Sequence, residues 1–142
     1  MAGDFSDLTR LLQSRPRPVL ASGEHRAIVG CGYVGSALIQ QWRARGHAIS
    51  ATTRRASRLA DLEARVDQAV LFDSESESND LSFIEDIDVL VISLAPTGQQ
   101  QVDLEAYRSV FSRGIERLCR AISERRSSTP LQLIQLSSCG LY

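Results

Sequence analysis

Residues Ala27-Ile28-Val29-Gly30-Cys31-Gly32-Tyr33-Val34-Gly35 form an apolar run that breaks into G-x-G-x-x-G and continues into a helical pattern. That order constrains the fold more than any other feature of the chain. A first glycine turns sharply off a buried strand, a second lets backbone approach a pyrophosphate, and a third lets the next helix lie tight on the sheet. The N–H groups and partial positive charge at the helix start then suit phosphate oxygens. Gly30, Cys31, Gly32, Tyr33, Val34 and Gly35 are therefore candidate dinucleotide-binding residues. A G-x-G-x-x-G by itself is weak; its place between a strand and an amphipathic helix gives it weight.

The pattern around the loop alternates strand and helix. Strands are expected over 26–30, 47–53, 68–72, 87–94 and 131–136. A helix over 33–45 offers Val34, Ala37, Leu38, Gln41 and Trp42 to the sheet and stops at Gly46. Ser57 is placed to cap a short helix that reaches Ala64. A long helix over 102–126 carries an apolar stripe of Leu104, Tyr107, Phe111, Ile115, Leu118 and Ile122. Arg113, Arg117 and Arg120, with Glu116 and Glu124, then form its solvated face. The acidic run 74–80 reads as a solvated loop. Residues 1–24 form an arm, in which Arg15-Pro16-Arg17-Pro18 ends any helix begun by Leu8, Leu11 and Leu12. Residues 25–142 form one domain. Such alternation predicts an α/β fold of Rossmann type: a doubly wound parallel sheet of five strands in the order 3-2-1-4-5, with the ligand crevice above strands 1 and 4.

Composition narrows the partners. A formal net charge of -1 argues against nucleic acid. No apolar stretch approaches the roughly 18 residues that cross a bilayer, and no segment resembles a secretory leader. Cys31, Cys119 and Cys139 are an odd set that reads as reduced thiols, Cys119 on an apolar helix face, which points to the cytoplasm. All 16 basic residues are arginine, so a step that needs lysine must find it elsewhere.

The second strand ends in Thr52-Thr53-Arg54-Arg55-Ala56-Ser57-Arg58, without the carboxylate that takes ribose hydroxyls in NAD sites. Arginine there grips a 2′-phosphate through paired hydrogen bonds. Arg54 is the first candidate, with Thr53, Arg55 and Arg58 beside it. NADP is therefore the expected cofactor, ahead of NAD. Asp73, ending the third strand, is a candidate for the adenine edge, or a solvated loop carboxylate. Leu94, Ala95 and Pro96, with Ser93, are expected by topology to pass beneath the ribose and nicotinamide.

The glycine loop, Thr52-Thr53-Arg54 and the closing Leu136-Ser137-Ser138-Cys139-Gly140-Leu141-Tyr142 resemble the extended or atypical short-chain dehydrogenases/reductases, in particular the NAD(P)-dependent epimerase/dehydratase group. The resemblance covers residues 26–142. It implies oxidoreductase or isomerase chemistry on a nucleotide sugar or carbonyl compound. By that resemblance Ser138 hydrogen-bonds the substrate oxygen, Ser137 is its neighbour, and Tyr142 is a structural or substrate-side residue.

The family's general acid/base lies in a Tyr-x-x-x-Lys motif on a later helix. Here the tyrosines are Tyr33, Tyr107 and Tyr142, and none precedes a lysine. The loop also departs from the family's T-G-x-x-G-x-x-G. The expectation is a C-terminally truncated dinucleotide-binding domain without catalysis on its own. An enzyme completed by a partner chain, and a dinucleotide-sensing or interaction module, stand as alternatives. An unpaired edge at strand 131–136 would favour a homodimer.

Overall fold

The computed structural model describes residues 23–95 and 104–136. The arm up to residue 22, Pro96, and the closing residues Ser137, Ser138, Cys139 and Tyr142 lie outside the described residues. The strands are β1 (His25–Val29), β2 (Ala48–Thr53), β3 (Gln68–Leu71), β4 (Val89–Ile92) and β5 (Gln132–Gln135). They form a parallel sheet in the order β3-β2-β1-β4-β5, as the alternation predicts. Ile28 pairs with Ala51 on one side and Val91 on the other, so β1 is central.

The central strand is apolar on both faces because helices cover both. Ala27 and Val29 join Leu90, Ile92, Phe72, Phe83, Ile84 and Leu118 in one core. Ile28 joins Val89, Val91, Ile49, Ile39 and Trp42 in the other. Burying each large side chain contributes roughly 1.5–3 kcal/mol.

Helix α1 (Tyr33–Ala44) buries Gly35, Ile39 and Trp42. The face is one position away from the expected one: Val34, Ala37 and Gln41 are exposed, and only Leu38 and Trp42 of the predicted set pack inward. Gly35 sets this rotation, since its missing side chain lets the helix seat on Ile28, whose Cγ2 would lie 3.3 Å from a Cβ there. After β2 comes a 3-10 turn (Ala56–Arg58) and the short helix α2 (Leu59–Glu63). Ser57 makes no capping hydrogen bond; it lies within the 3-10 turn rather than before it.

The helical segment after β4 is not one regular helix. It comprises α3 (Leu104–Arg108), a π turn (Ser109–Gly114) and α4 (Ile115–Ser123). A π turn takes in one more residue than an α turn and so shifts the face that follows. Leu104 and Tyr107 are consequently 64% and 49% exposed, while Ser109, Val110, Gly114 and Leu118 are buried. Tyr107 instead packs on Phe111, ring centroids 4.5 Å apart. Cys119 is exposed, not on the apolar face.

Two expectations about charge also change. Arg117 is not merely solvated: its guanidinium donates to the Ser74 and Ser76 carbonyl oxygens and holds the loop after β3. In that loop Ser74 is buried, and Asn79 bonds Asp73 and Ser76 main-chain groups. Arg113–Glu105 and Arg120–Glu116 are exposed pairs, as expected. At the opposite, N-terminal end of the strands, Arg26 is a buried cation within a strand expected to be apolar. It bonds Glu24 at 3.1 Å and lies 5.4 Å from the Trp42 ring centroid. His47 sits beside it, 6% exposed, with no partner for Nδ1 among the described residues. Burial, and then the Arg26 charge, push this imidazole below its ordinary pKa of 6.5, against an opposing pull from Glu24.

Candidate functional site

The carboxyl ends of parallel strands gather the site because each strand there hands over to a loop, and β1 and β4 feed crossovers that wind in opposite directions. A cavity of about 260 Å³ opens at this point. Gly30, Cys31 and Gly32 form one wall, following β1. Thr53, Arg54, Arg55 and Arg58 reach it from β2, and Leu94 and Ala95 from β4. With Ser93, which also lines it, the sequence-predicted residues that the fold brings together are thus ten. Tyr33, Val34 and Gly35 lie at the start of α1 beside the cavity without lining it; the Tyr33 side chain is 94% exposed. Asp73 is exposed, and its carboxylate accepts a hydrogen bond from the Glu75 amide.

The three loop glycines differ in what they require. Gly30 has φ +87, and a Cβ would lie 2.5 Å from the Ser93 carbonyl oxygen. Backbone conformation and crowding both demand glycine there. Gly35 is held by packing, as above. Gly32 is different: a Cβ there would meet nothing within 4 Å, and φ is −106. No described residue crowds the place a side chain would take here.

The loop's own amides are engaged internally. Gly30 N–H donates to Thr52 Oγ1 and Cys31 N–H to Thr52 O, each at 3.0 Å. Gly32 N–H donates to the Gly30 carbonyl. The first bond within α1 runs from Ser36 N–H to Gly32 O. The amides of Tyr33, Val34 and Gly35 therefore have no partner inside the helix, no side chain caps it, and its first turn holds no acid. These amides, with the helix dipole behind them, are what an anion approaching Gly32 would meet.

Charge follows the same logic. Among the described residues no carboxylate lines the cavity, while Arg54, Arg55 and Arg58 do. Sequence reasoning alone does not single out Thr52, Phe72, Ser74 or Val110, which also line it. Thr52 reads in the sequence as an ordinary strand residue, yet it braces the loop through two hydrogen bonds. Ser74 lay in a run that reads as solvated, and Val110 is brought in by the π turn. No group of three or more potential metal ligands occurs among the described residues.

Comparison with known proteins bears on the family and the fold. A profile for the family described as "NADP oxidoreductase coenzyme F420-dependent" matches residues 26–112, a span that holds the glycine loop and the arginines. No curated protein matches the sequence significantly. Among solved structures, the chain is similar to a putative NAD-dependent epimerase/dehydratase from Bacillus halodurans, with TM-score 0.64, 22% identity, and coverage of 82% of this chain and 52% of that one. It is also similar to a short-chain dehydrogenase/reductase double mutant from Serratia marcescens, with TM-score 0.59, 17% identity, and coverage of 82% and 56%. A reductase engineered to attenuate substrate inhibition gives TM-score 0.63 at 14% identity over 82% and 38%. The chain thus spans between 38% and 56% of these structures' lengths. At such identities the likeness shows a shared Rossmann-type fold.

Proposed function

Since the chain belongs to the family described as NADP oxidoreductase, coenzyme F420-dependent, and is an NAD(P)-binding Rossmann domain of oxidoreductase type, we propose that it binds NADP(H) in preference to NAD(H). The observation that carries this reading is the pairing of an unencumbered Gly32 and uncapped α1 amides with an arginine-lined cavity that holds no carboxylate among the described residues. Gly32 leaves room for the pyrophosphate, and the Tyr33, Val34 and Gly35 amides receive its oxygens. Arg54 grips the 2′-phosphate, with Thr53, Arg55 and Arg58 beside it and Cys31 in the loop's turn. Asp73 is assigned to the adenine edge, and Leu94, Ala95 and Pro96 to the ribose and nicotinamide. When bound, the nicotinamide ring supplies hydride transfer.

The reaction we assign to the ancestry is reduction or epimerisation of a carbonyl compound or nucleotide sugar, with Ser138 positioning the substrate oxygen. The chain on its own performs no turnover in this proposal, because it has no Tyr-x-x-x-Lys. A second reading, supported by the match over residues 26–112, takes coenzyme F420 as the other hydride partner. A reduced, cytoplasmic setting belongs to the same proposal, resting on the exposed Cys119 thiol.

Titration with NADPH and NADH, followed by nicotinamide fluorescence, tests the cofactor. NADPH is expected to bind at least about tenfold more tightly, and Arg54→Glu to abolish that preference. Equal affinities overturn it. Steady NADPH oxidation by the chain alone, lost in Ser138→Ala, overturns the absence of turnover.

A further inference from the structure

Behind the cavity two hydroxyls are buried together. Ser74 is 7% exposed and lines the cavity; Ser109, 2% exposed, stands behind it on the π turn. Their Oγ atoms are 3.1 Å apart. Two hydroxyls carry two protons, and only one proton can lie between them. Among the described residues neither Oγ has another partner, so one O–H lacks an acceptor among them. A buried donor left that way is destabilising. Ser109 does not border the cavity and Ser74 does. The arrangement that satisfies the pair has Ser109 donating to Ser74, and Ser74 donating into the cavity.

The surroundings say what would accept. Phe72, Leu94 and Val110 line the same cavity as Ser74 and give it an apolar wall. A flat heteroaromatic ring suits such a slot, and its ring nitrogens are acceptors. Two features place the donor there. The π turn brings Ser109 and Val110, rather than Tyr107 and Phe111, against the end of β3. Gly114 lets Ser74 sit close, since a Cβ on it would lie 3.1 Å from Ser74 Cβ.

We propose that Ser74 is a ligand-binding residue whose hydroxyl donates to a ring nitrogen of the dinucleotide's base, with Ser109 as the positioning residue that directs the proton. This rests on the reading of the cavity as a dinucleotide site. Calorimetry with adenosine 2′,5′-bisphosphate and with ribose 2,5-bisphosphate, which has the same phosphates and no base, tests it. Ser74→Ala weakens the adenosine probe about tenfold and leaves the base-less probe unchanged. Ser109→Ala weakens the adenosine probe about threefold, and the double variant no more than Ser74→Ala. Ser74→Cys keeps the size with a weaker donor and falls between wild type and alanine, which serves if Ser74→Ala does not fold. Wild-type affinity for the adenosine probe in Ser74→Ala, or equal loss for both probes, overturns the assignment. A wild-type chain that takes neither probe nor NADPH overturns the dinucleotide reading beneath it, a result distinct from the others.

Discussion

Gly30 and Gly32 are two positions apart and are glycine for opposite reasons. At Gly30 the reason is internal: positive φ and a carbonyl oxygen where a Cβ would go. Gly30→Ala is expected to cost roughly 2–4 kcal/mol in urea denaturation. At Gly32 a methyl group meets no described residue. Gly32→Ala should therefore unfold at the wild-type urea concentration, or slightly above it, while NADPH affinity falls by about tenfold or more. If the two variants lose stability equally, the distinction between the glycines is wrong. His47 gives a second prediction at this scale. Its unfolded pKa is near 6.5 and its folded pKa is lower, so between those values the unfolded chain holds more protons. Stability should fall as pH drops through 6.5 and level off below the folded pKa. Denaturation midpoints compared from pH 5 to 8 should show that slope in the wild type and not in His47→Leu. Asp80 acts in a separate window: hydrogen bonds from Ser82 lower its pKa from 3.8, so its contribution disappears only as pH falls below that value.

Among the elements, the strands and their order were legible because a buried parallel strand leaves an apolar run that no loop shares. Ile87 to Leu94 is the clearest case, and β4 lies inside it. The long helix was legible in extent but not in its face. A regular 3.6-residue period puts Tyr107 and Phe111 in line with Leu118, and nothing in the residues announces that a π turn between them breaks the line. The arginines were equally opaque: Arg117 and Arg125 look like surface charges because their partners are carbonyl oxygens distant in sequence. Arg125 bonds the Ile84 and Ile87 carbonyls at 2.9 and 3.0 Å and so fastens the end of α4 to the segment before β4. Arg125→Ala should cost about 2 kcal/mol by thermal or chemical denaturation. Arg125→Lys should recover little of it, since an ammonium cannot span both oxygens. Full recovery by lysine would mean that charge, not the fork, carries the contact.

For the molecule as a whole, β5 is the exposed margin. All four of its residues are exposed, Leu133 at 48% and Ile134 at 39%, and its outer edge has no strand partner among the described residues. Such an edge is a template for pairing with another copy. Sedimentation is expected to show concentration-dependent association, and Ile134→Lys to shift the chain toward monomer; a wild-type monomer at high concentration removes the homodimer proposal. Because all five strands point the same way, the domain also has two chemically unlike poles. The loop, the arginines and the serine pair occupy one, and Glu24, Arg26 and His47 the other. The acid sensitivity that His47 confers is therefore open to engineering at the base of the sheet without touching nucleotide choice at its crown, as two independent dials on one small scaffold.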